Sequence, residues 1–373
     1  MRIVMVSARY FPFMGGIETH IHEVGTRLVT RGHSVTVLTT DPTGGWPAEE
    51  DVSGIRVVRV RAWPERRDYY FAPGIYSALV NGAWDVVHIQ GYHTFVAPLA
   101  LIAAAKRGFR FVLTFHSGGH SSRLRQSIRG LQQALLGPLI ARACQLIAVS
   151  EFEAGLFSKR MHLPRERFVV IPNGAYLPNV ARASADAESR LIVSIGRLER
   201  YKGHHKVIEA FPEVLRRLPD ARLRVLGEGP FERPLRKLVR KLGLEQSVTI
   251  ERIPPGDRSG LATVLSSAGL VVLLSEYEAH PVAIMEALAL RRRVLVSDTS
   301  GLGELARKGL CRAVPLNARS AELAEAIAGE LTAKREVRET SLPNWDCCVD
   351  ELISVYQGVL NRRGADGRFA STA

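Results

Sequence analysis

Short apolar, β-branched runs alternate along the chain with stretches whose apolar positions recur every three or four residues. The first pattern suits strands and the second amphipathic helices, and their steady alternation predicts parallel α/β architecture. In the first half the runs predict strands at Arg2–Ala8, Ser34–Thr40, Ile55–Arg61, Asp85–Gln90, Phe111–His116, Leu146–Ser150 and Phe168–Pro172. Several are apolar almost throughout, as strands buried on both faces should be. Helical spacing is clearest over Glu18–Thr30, Phe95–Lys106, Leu124–Ala143 and Glu151–Lys159.

The rhythm breaks between Asn173 and Ser189, where Pro178 and small or polar residues suit a linker. It then restarts, with strands expected at Leu191–Gly196, Leu223–Gly227, Val248–Arg252, Leu270–Ser275, Val294–Asp298 and Arg312–Pro315. The intervening helices are expected at Gly203–Leu218, Phe231–Leu242, Arg258–Ser267, Val282–Leu290 and Ser320–Lys334. A last helix, Asp346–Asn361, follows Pro343. The expected division is 1–175 for the first domain, 176–189 for the linker and 190–343 for the second domain. A C-terminal helix over 344–363 and a frayed tail over 364–373 complete it. Two doubly wound, Rossmann-like domains of about 170–190 residues each agree with the 373-residue length. Ligands bind such sheets at the carboxyl ends of the strands, so a shared cleft there is expected to hold the chemistry.

Composition narrows the partners. The net charge is +13, but eight lysines leave 42 of the 50 basic residues as arginine. No basic tract is interleaved with aromatics, and nucleic acid is not expected as a partner. Basic residues recur in the first half, among them Lys106, Arg107, Arg110, Arg123, Arg125 and Arg129. They suit either a solvated surface or an anionic partner, such as a membrane face or a phosphorylated acceptor. The stretch Ser122–Ala143 joins arginines to leucines at helical spacing, and it reads either as a core-facing helix or as a basic amphipathic face for anionic lipid. No run reaches the roughly 18 apolar residues of a membrane span. The N-terminal run is too short for a signal peptide, so a cytoplasmic protein starting at Met1 is expected, with peripheral attachment to the inner membrane face as the variant. Cys144, Cys311, Cys347 and Cys348 lack zinc or disulfide spacing.

Three constellations carry chemistry. Gly15 and Gly16, after the first strand, allow a backbone to approach a ligand or simply make a tight turn. Arg197 and Lys202 flank a turn entering a helix at Gly203; the two cations suit a diphosphate, or a solvated basic turn. Glu278, His280, Pro281, Val282, Ala283 and Glu286 follow an apolar strand, with Pro281 placed for the first helical position. Amides near Val282 and Ala283 can receive an anion. Glu278 in the loop and Glu286 in the helix could then accept bonds from hydroxyls on either side, although Glu286 also suits an exposed helix position.

The spacing Glu278-x7-Glu286 resembles the EX7E motif of retaining GT-B glycosyltransferases of family 4. The resemblance covers nearly the whole chain. It includes Gly15-Gly16, Thr114-Phe115-His116, Ala148-Val149-Ser150-Glu151, Ile171-Pro172-Asn173-Gly174, Gly196-Arg197-Leu198, Lys202-Gly203, Gly227-Glu228-Gly229-Pro230 and Ser300-Gly301-Leu302-Gly303-Glu304. It implies a GT-B fold whose C-terminal helix returns to the first domain. It further implies transfer of a hexose from a nucleotide-sugar donor, UDP ahead of GDP, to a hydroxyl acceptor in bacterial glycan, glycolipid or glycosylated-metabolite synthesis. By the same resemblance Arg197 and Lys202 hold the diphosphate, Glu286 the ribose and Glu278 the sugar hydroxyls. Amides around His280–Ala283 contact sugar and phosphate, and Gly227 and Ile253 border the nucleobase. Gly15 and Gly16 face the phosphates or the acceptor. His116 matches a histidine that nears the donor sugar, with a core histidine as the other reading. The chain departs from the pattern at Ala279-His280-Pro281, where Gly-Phe-Gly is frequent, and at Arg291-Arg292-Arg293, where a small turn is usual. Asp-x-Asp does not occur, so no metal cofactor is expected. Rival readings are a sugar-nucleotide epimerase and a non-catalytic sugar-nucleotide-binding protein.

Overall fold

The computed structural model describes residues 1–13, 15–65, 70–117, 132, 134–177, 189–254, 256–333 and 341–362. These fall into two compact units. One takes in Met1–Ser117, the described part of Leu124–Pro172 and the residues from Trp345 onward; the other takes in Asn173–Asn344.

The first unit holds strands β1 (Arg2–Val6), β2 (Ser34–Asp41), β3 (Glu49–Val52), β4 (Ile55–Arg61), β5 (Val86–Gln90), β6 (Phe111–Thr114), β7 (Gln145–Ala148) and β8 (Phe168–Val170). They form one sheet in the order β3-β4-β2-β1-β5-β6-β7-β8. Every described pairing is parallel except β3 with β4. Ile3, Val4, Met5 and Val6 are all fully buried, as a central strand covered on both faces requires. Its fully described helices ahead of the C-terminal one are α1 (Gly16–Thr30), α2 (Gly74–Asn81), α3 (Val96–Arg107) and α4 (Glu151–Met161). In α1, Ile21, Val24, Gly25 and Leu28 form the buried stripe. In α4, Ser150 Oγ accepts the Glu153 amide at 3.2 Å, acidic residues occupy the first turn, and the chain leaves at His162 with φ 53°.

The second unit holds β9 (Leu191–Ile195), β10 (Arg222–Leu226), β11 (Val248–Glu251), β12 (Leu270–Leu273), β13 (Val294–Ser297) and β14 (Arg312–Val314), in the order β11-β10-β9-β12-β13-β14. All described pairings are parallel. Its helices are α5 (His204–Arg217), α6 (Glu232–Lys241), α7 (Arg258–Ser267), α8 (Val282–Ala289), α9 (Ser300–Arg307) and α10 (Ser320–Thr332). Successive strand residues enter opposite cores: Ile192, Leu270 and Val272 on one face, Val193, Val271 and Leu273 on the other. The strand order reverses between β9 and β12, which makes their carboxyl ends the topological switch point.

The final helix, α11 (Trp345–Asn361), belongs to the first unit. Arg31 binds Asp346 at 3.2 Å and Asp350 at 2.9 Å. Tyr356 Oη lies 2.6 Å from His88 Nδ1, while His88 Nε2 lies 2.7 Å from Thr114 Oγ1. The return of this helix agrees with the expectation from the resemblance.

Most expected elements are present, with strand ends a residue or two shorter. Three elements were not anticipated: β3, α2 and α9. Of the expected Leu124–Ala143 helix, 134–140 is helical and the part before 132 lies outside the described residues, as do 178–188 of the linker and 363–373 of the tail. Among the described residues no helix is long and apolar enough to cross a membrane.

Candidate functional site

Close backbone packing around the β9–β12 switch point fixes four loops against one another. Gly203 has φ 76°, and a Cβ there would stand 2.1 Å from Leu274 O. Gly227 has φ 153°, and its Cβ would stand 2.0 Å from Gly196 O. Only glycine fits either position. The Glu276 amide donates to Tyr201 O at 2.8 Å and the Gly301 amide to Glu278 O at 2.8 Å. The Glu278 amide donates to Ser300 Oγ at 2.9 Å. The loops after β9, β10, β12 and β13 thus hold each other in register.

On that frame Lys202 Nζ donates to Glu278 Oε1 at 2.5 Å, and Ser275 Oγ donates to the same oxygen at 2.7 Å. The two side chains are 14% and 10% exposed. Among the described residues no donor reaches Oε2 of Glu278. Burial, the largest single influence, disfavours the Lys202 ammonium, but the Glu278 carboxylate and Tyr201 together hold the amine above the usual lysine pKa. Arg197, 39% exposed, donates to Tyr201 Oη at 3.2 Å and pairs with Glu199 at 3.2 Å. Buried His204 spans from Ser194 Oγ, 2.8 Å from Nδ1, to Arg197 O, 3.3 Å from Nε2. A carbonyl only accepts, so Nε2 carries the proton and Nδ1 accepts from Ser194. Burial lowers the His204 pKa to about 4, which suits this neutral tautomer.

Pro281 is the N-cap of α8, one position before the expected place, and its side chain makes no capping hydrogen bond. Val282 and Ala283 therefore present first-turn amides with no carbonyl a turn before them. His280 lies beside this turn, its carbonyl held by Asn173 Nδ2 at 3.0 Å. Burial lowers its pKa to about 4, and its buried Nδ1 has no hydrogen-bond partner among the described residues. Glu286 is not an exposed helix residue: it is 2% exposed and accepts from Arg258 Nη2 at 2.5 Å. Gly227 borders Glu228, which pairs with Arg252 at 2.9 Å, and Ile253 packs against the neighbouring core. Arg292 and Arg293 bind carbonyls of the adjoining helices, including Ser266 O at 3.1 Å and Glu330 O at 3.0 Å.

The second unit thus gathers Arg197, Lys202, Gly227, Ile253, Glu278, His280, Pro281, Val282, Ala283 and Glu286. The remaining expected residues, Gly15, Gly16 and His116, lie in the first unit. Gly15 is the extended N-cap of α1, and a Cβ there would meet Glu18 Oε2 at 2.5 Å. His116 follows β6 with φ 45° and is 7% exposed. Its Nε2 lies 2.7 Å from Gln90 Oε1, and the His20 ring meets it edge-on at 4.6 Å. Burial drives its pKa well below the usual histidine value, so the ring is neutral.

Sequence reasoning did not single out Ser275, Ser300, His204, Asn173 as a side-chain donor, or Arg258. Ser300 and Asn173 lie in segments that carried the resemblance; Arg258 is one arginine among 42. The site thus sets two fixed cations, Arg197 and Lys202, near helix-start amides and the two carboxylates of Glu278 and Glu286. Among the described residues no three His, Cys, Asp or Glu side chains group as metal ligands do.

Residues 14–177 match the description "Glycosyltransferase Family 4" and residues 179–340 match "Glycosyl transferases group 1". The glycogen synthase of Mycobacterium tuberculosis (strain CDC 1551 / Oshkosh) is 28% identical over 341 residues, covering 83% of this chain and 81% of that protein. The GDP-mannose:cellobiosyl-diphosphopolyprenol alpha-mannosyltransferase of Xanthomonas campestris is 26% identical, covering 96% and 97%. Among solved structures, Anabaena Alr3699/HepE in complex with UDP and glucose superposes with a TM-score of 0.70 at 18% identity, over 97% of this chain and 99% of that one.

Proposed function

Because the chain belongs to glycosyltransferase family 4 and has its GT-B fold, we propose that it moves a hexose from a nucleoside-diphosphate sugar to a hydroxyl acceptor, with retention and without a divalent metal. The observation that carries this reading is the Lys202–Glu278 pair at 2.5 Å, set beside Arg197 and the start of α8.

The difficult step is departure of the nucleoside diphosphate from the anomeric carbon, as negative charge grows on the β-phosphate. Groups fixed before the reaction stabilise that charge without reorganising. Lys202 is fixed by Glu278, Arg197 by Tyr201 and Glu199, and the loop beneath both by His204. These cations and the Val282 and Ala283 amides would receive the diphosphate. Glu278, with Oε1 occupied, would offer Oε2 to a hydroxyl of the transferred sugar. Glu286 would accept from the ribose, and Gly227 and Ile253 would border the base. In the first unit neutral His116 would approach the sugar, and Gly15 and Gly16 would lie against phosphate or acceptor. The acceptor would attack on the face the diphosphate leaves, with the leaving phosphate taking its proton. UDP would serve ahead of GDP, a reading the Anabaena neighbour's complex with UDP supports; the GDP-mannose of the Xanthomonas relative's name makes GDP the competing carrier. The chain would also attach peripherally to anionic membrane, and sedimentation with anionic vesicles at low salt tests this.

The test is a panel of UDP- and GDP-hexoses, followed for thermal stabilisation, slow hydrolysis and transfer, with the product anomer read by NMR. Expected are one preferred donor, a product of unchanged anomeric configuration and full turnover in EDTA. An inverted product would refute retention, and turnover lost with EDTA would refute metal independence. Donor isomerised without acceptor would instead identify an epimerase. Binding without hydrolysis or transfer would identify a non-catalytic sugar-nucleotide-binding protein.

A further inference from the structure

Glu286 is set deep in α8, and its surroundings determine what it can bind. A carboxylate 2% exposed needs a cation close by, because an uncompensated buried charge is costly. Arg258, the first residue of α7, supplies that cation. Its Nη2 donates both to Glu286 Oε1 at 2.5 Å and to Tyr176 O at 2.9 Å. The start of α7 is itself fixed, since Asp257 Oδ1 accepts the Gly260 amide at 2.8 Å. One nitrogen of the guanidinium is therefore fixed between the Tyr176 carbonyl and the Glu286 carboxylate, and it holds the carboxylate in turn.

We infer that Arg258 is a positioning residue for donor binding: it keeps Glu286 ionised and in one orientation, as an acceptor-only group for the two hydroxyls of the nucleotide ribose. The inference rests on the reading that Glu286 meets the ribose. An ionised carboxylate accepts from both hydroxyls of a vicinal diol, whereas a protonated one must spend an oxygen as donor. Fixing it in advance removes the ordering cost that a mobile side chain would incur on binding. Arg258 acts on the donor through Glu286.

The test compares affinities of UDP and 2′,3′-dideoxy-UDP, and of GDP and its dideoxy form, by calorimetry. It uses the full chain, E286A, R258A, R258Q and R258K. Hydrogen bonds to a charged group make the diol worth about tenfold or more in the parent. In R258A or R258Q that ratio should shrink to about threefold or less, and R258K should recover part of it. If R258A fails to fold, R258Q and R258K carry the comparison. A role confined to stability would weaken both ligands alike, so an unchanged diol ratio in a folded R258Q would overturn the inference. E286A separates the two levels. Loss of the ratio in E286A but not in R258Q sinks the Arg258 assignment alone. A ratio that survives in E286A, or no ratio in the parent, sinks the ribose reading and the inference with it.

Discussion

Lys202 and Glu278 stand 76 residues apart in sequence and 2.5 Å apart in space, each presented by the loop after a neighbouring strand at the β9–β12 switch point. Gly203 makes the approach possible, because any side chain there would strike Leu274 O. The pair is thus set by backbone packing as much as by charge.

Removing either partner should therefore damage both. Lys202→Met and Glu278→Gln are each expected to lower kcat/KM by roughly 10- to 150-fold, the equivalent of about 1.5–3 kcal/mol for a charged hydrogen bond. The double variant should fall by less than the product of the two, because the second change removes a group already stranded. Steady-state kinetics on folded proteins checks this, and strictly multiplicative losses would mean that the residues act separately.

Arg197 is more exposed than Lys202, so its loss should leave folding intact. Arg197→Ala is expected to lower kcat/KM by roughly 10-fold or more with the melting temperature almost unchanged. Unaltered kinetics would remove Arg197 from the diphosphate site.

Gly203→Ala tests the frame. The left-handed backbone costs a residue with a Cβ about 1–2 kcal/mol, and the clash with Leu274 O adds to it. Urea unfolding should show at least that destabilisation, and activity should fall because Lys202 shifts. A Gly203→Ala protein as stable as its parent would contradict the packing described above.

His204 gives the fold a pH dependence of definite sign. Its pKa is lowered from 6.5 to about 4 by burial, so the unfolded chain binds a proton that the folded chain refuses. The contribution is complete above about pH 6.5 and is lost as pH falls toward 4, at up to about 1.4 kcal/mol per pH unit for one group. His280, also near 4, and His88, near 3, act in the same sense. Stability by urea unfolding should be flat near neutrality and decline through that window, less steeply in His204→Asn. An identical slope in the variant would exclude His204 as a contributor.

The parallel strands were legible because burial on both faces makes them apolar throughout, as in Ile3–Val6. Strand β3 was not: Glu49, Glu50 and Asp51 on a solvent-facing edge look like a loop. Helix α9 was hidden by Gly301 and Gly303, which read as turn residues. Gly301 is required for another reason, since a Cβ there would lie 1.8 Å from Ala279 O. Helix α2 is only eight residues long and starts at Gly74. The charged groups of the site stood in recognisable spacing, but their supports did not. Ser194 and His204 meet through a turn whose geometry no local pattern encodes, and Arg258 reaches Glu286 across 28 residues.

The last helix bears on how the chain is made. His88 in β5 has Tyr356 as a partner, and His20 and Arg31 on α1 meet Trp345 and Asp346. During translation these contacts are unavailable until the whole second unit has been synthesised. The unit that begins first is thus completed last, and a nascent chain stopped before Trp345 would leave the α1 flank and the buried histidine of β5 without their covering helix.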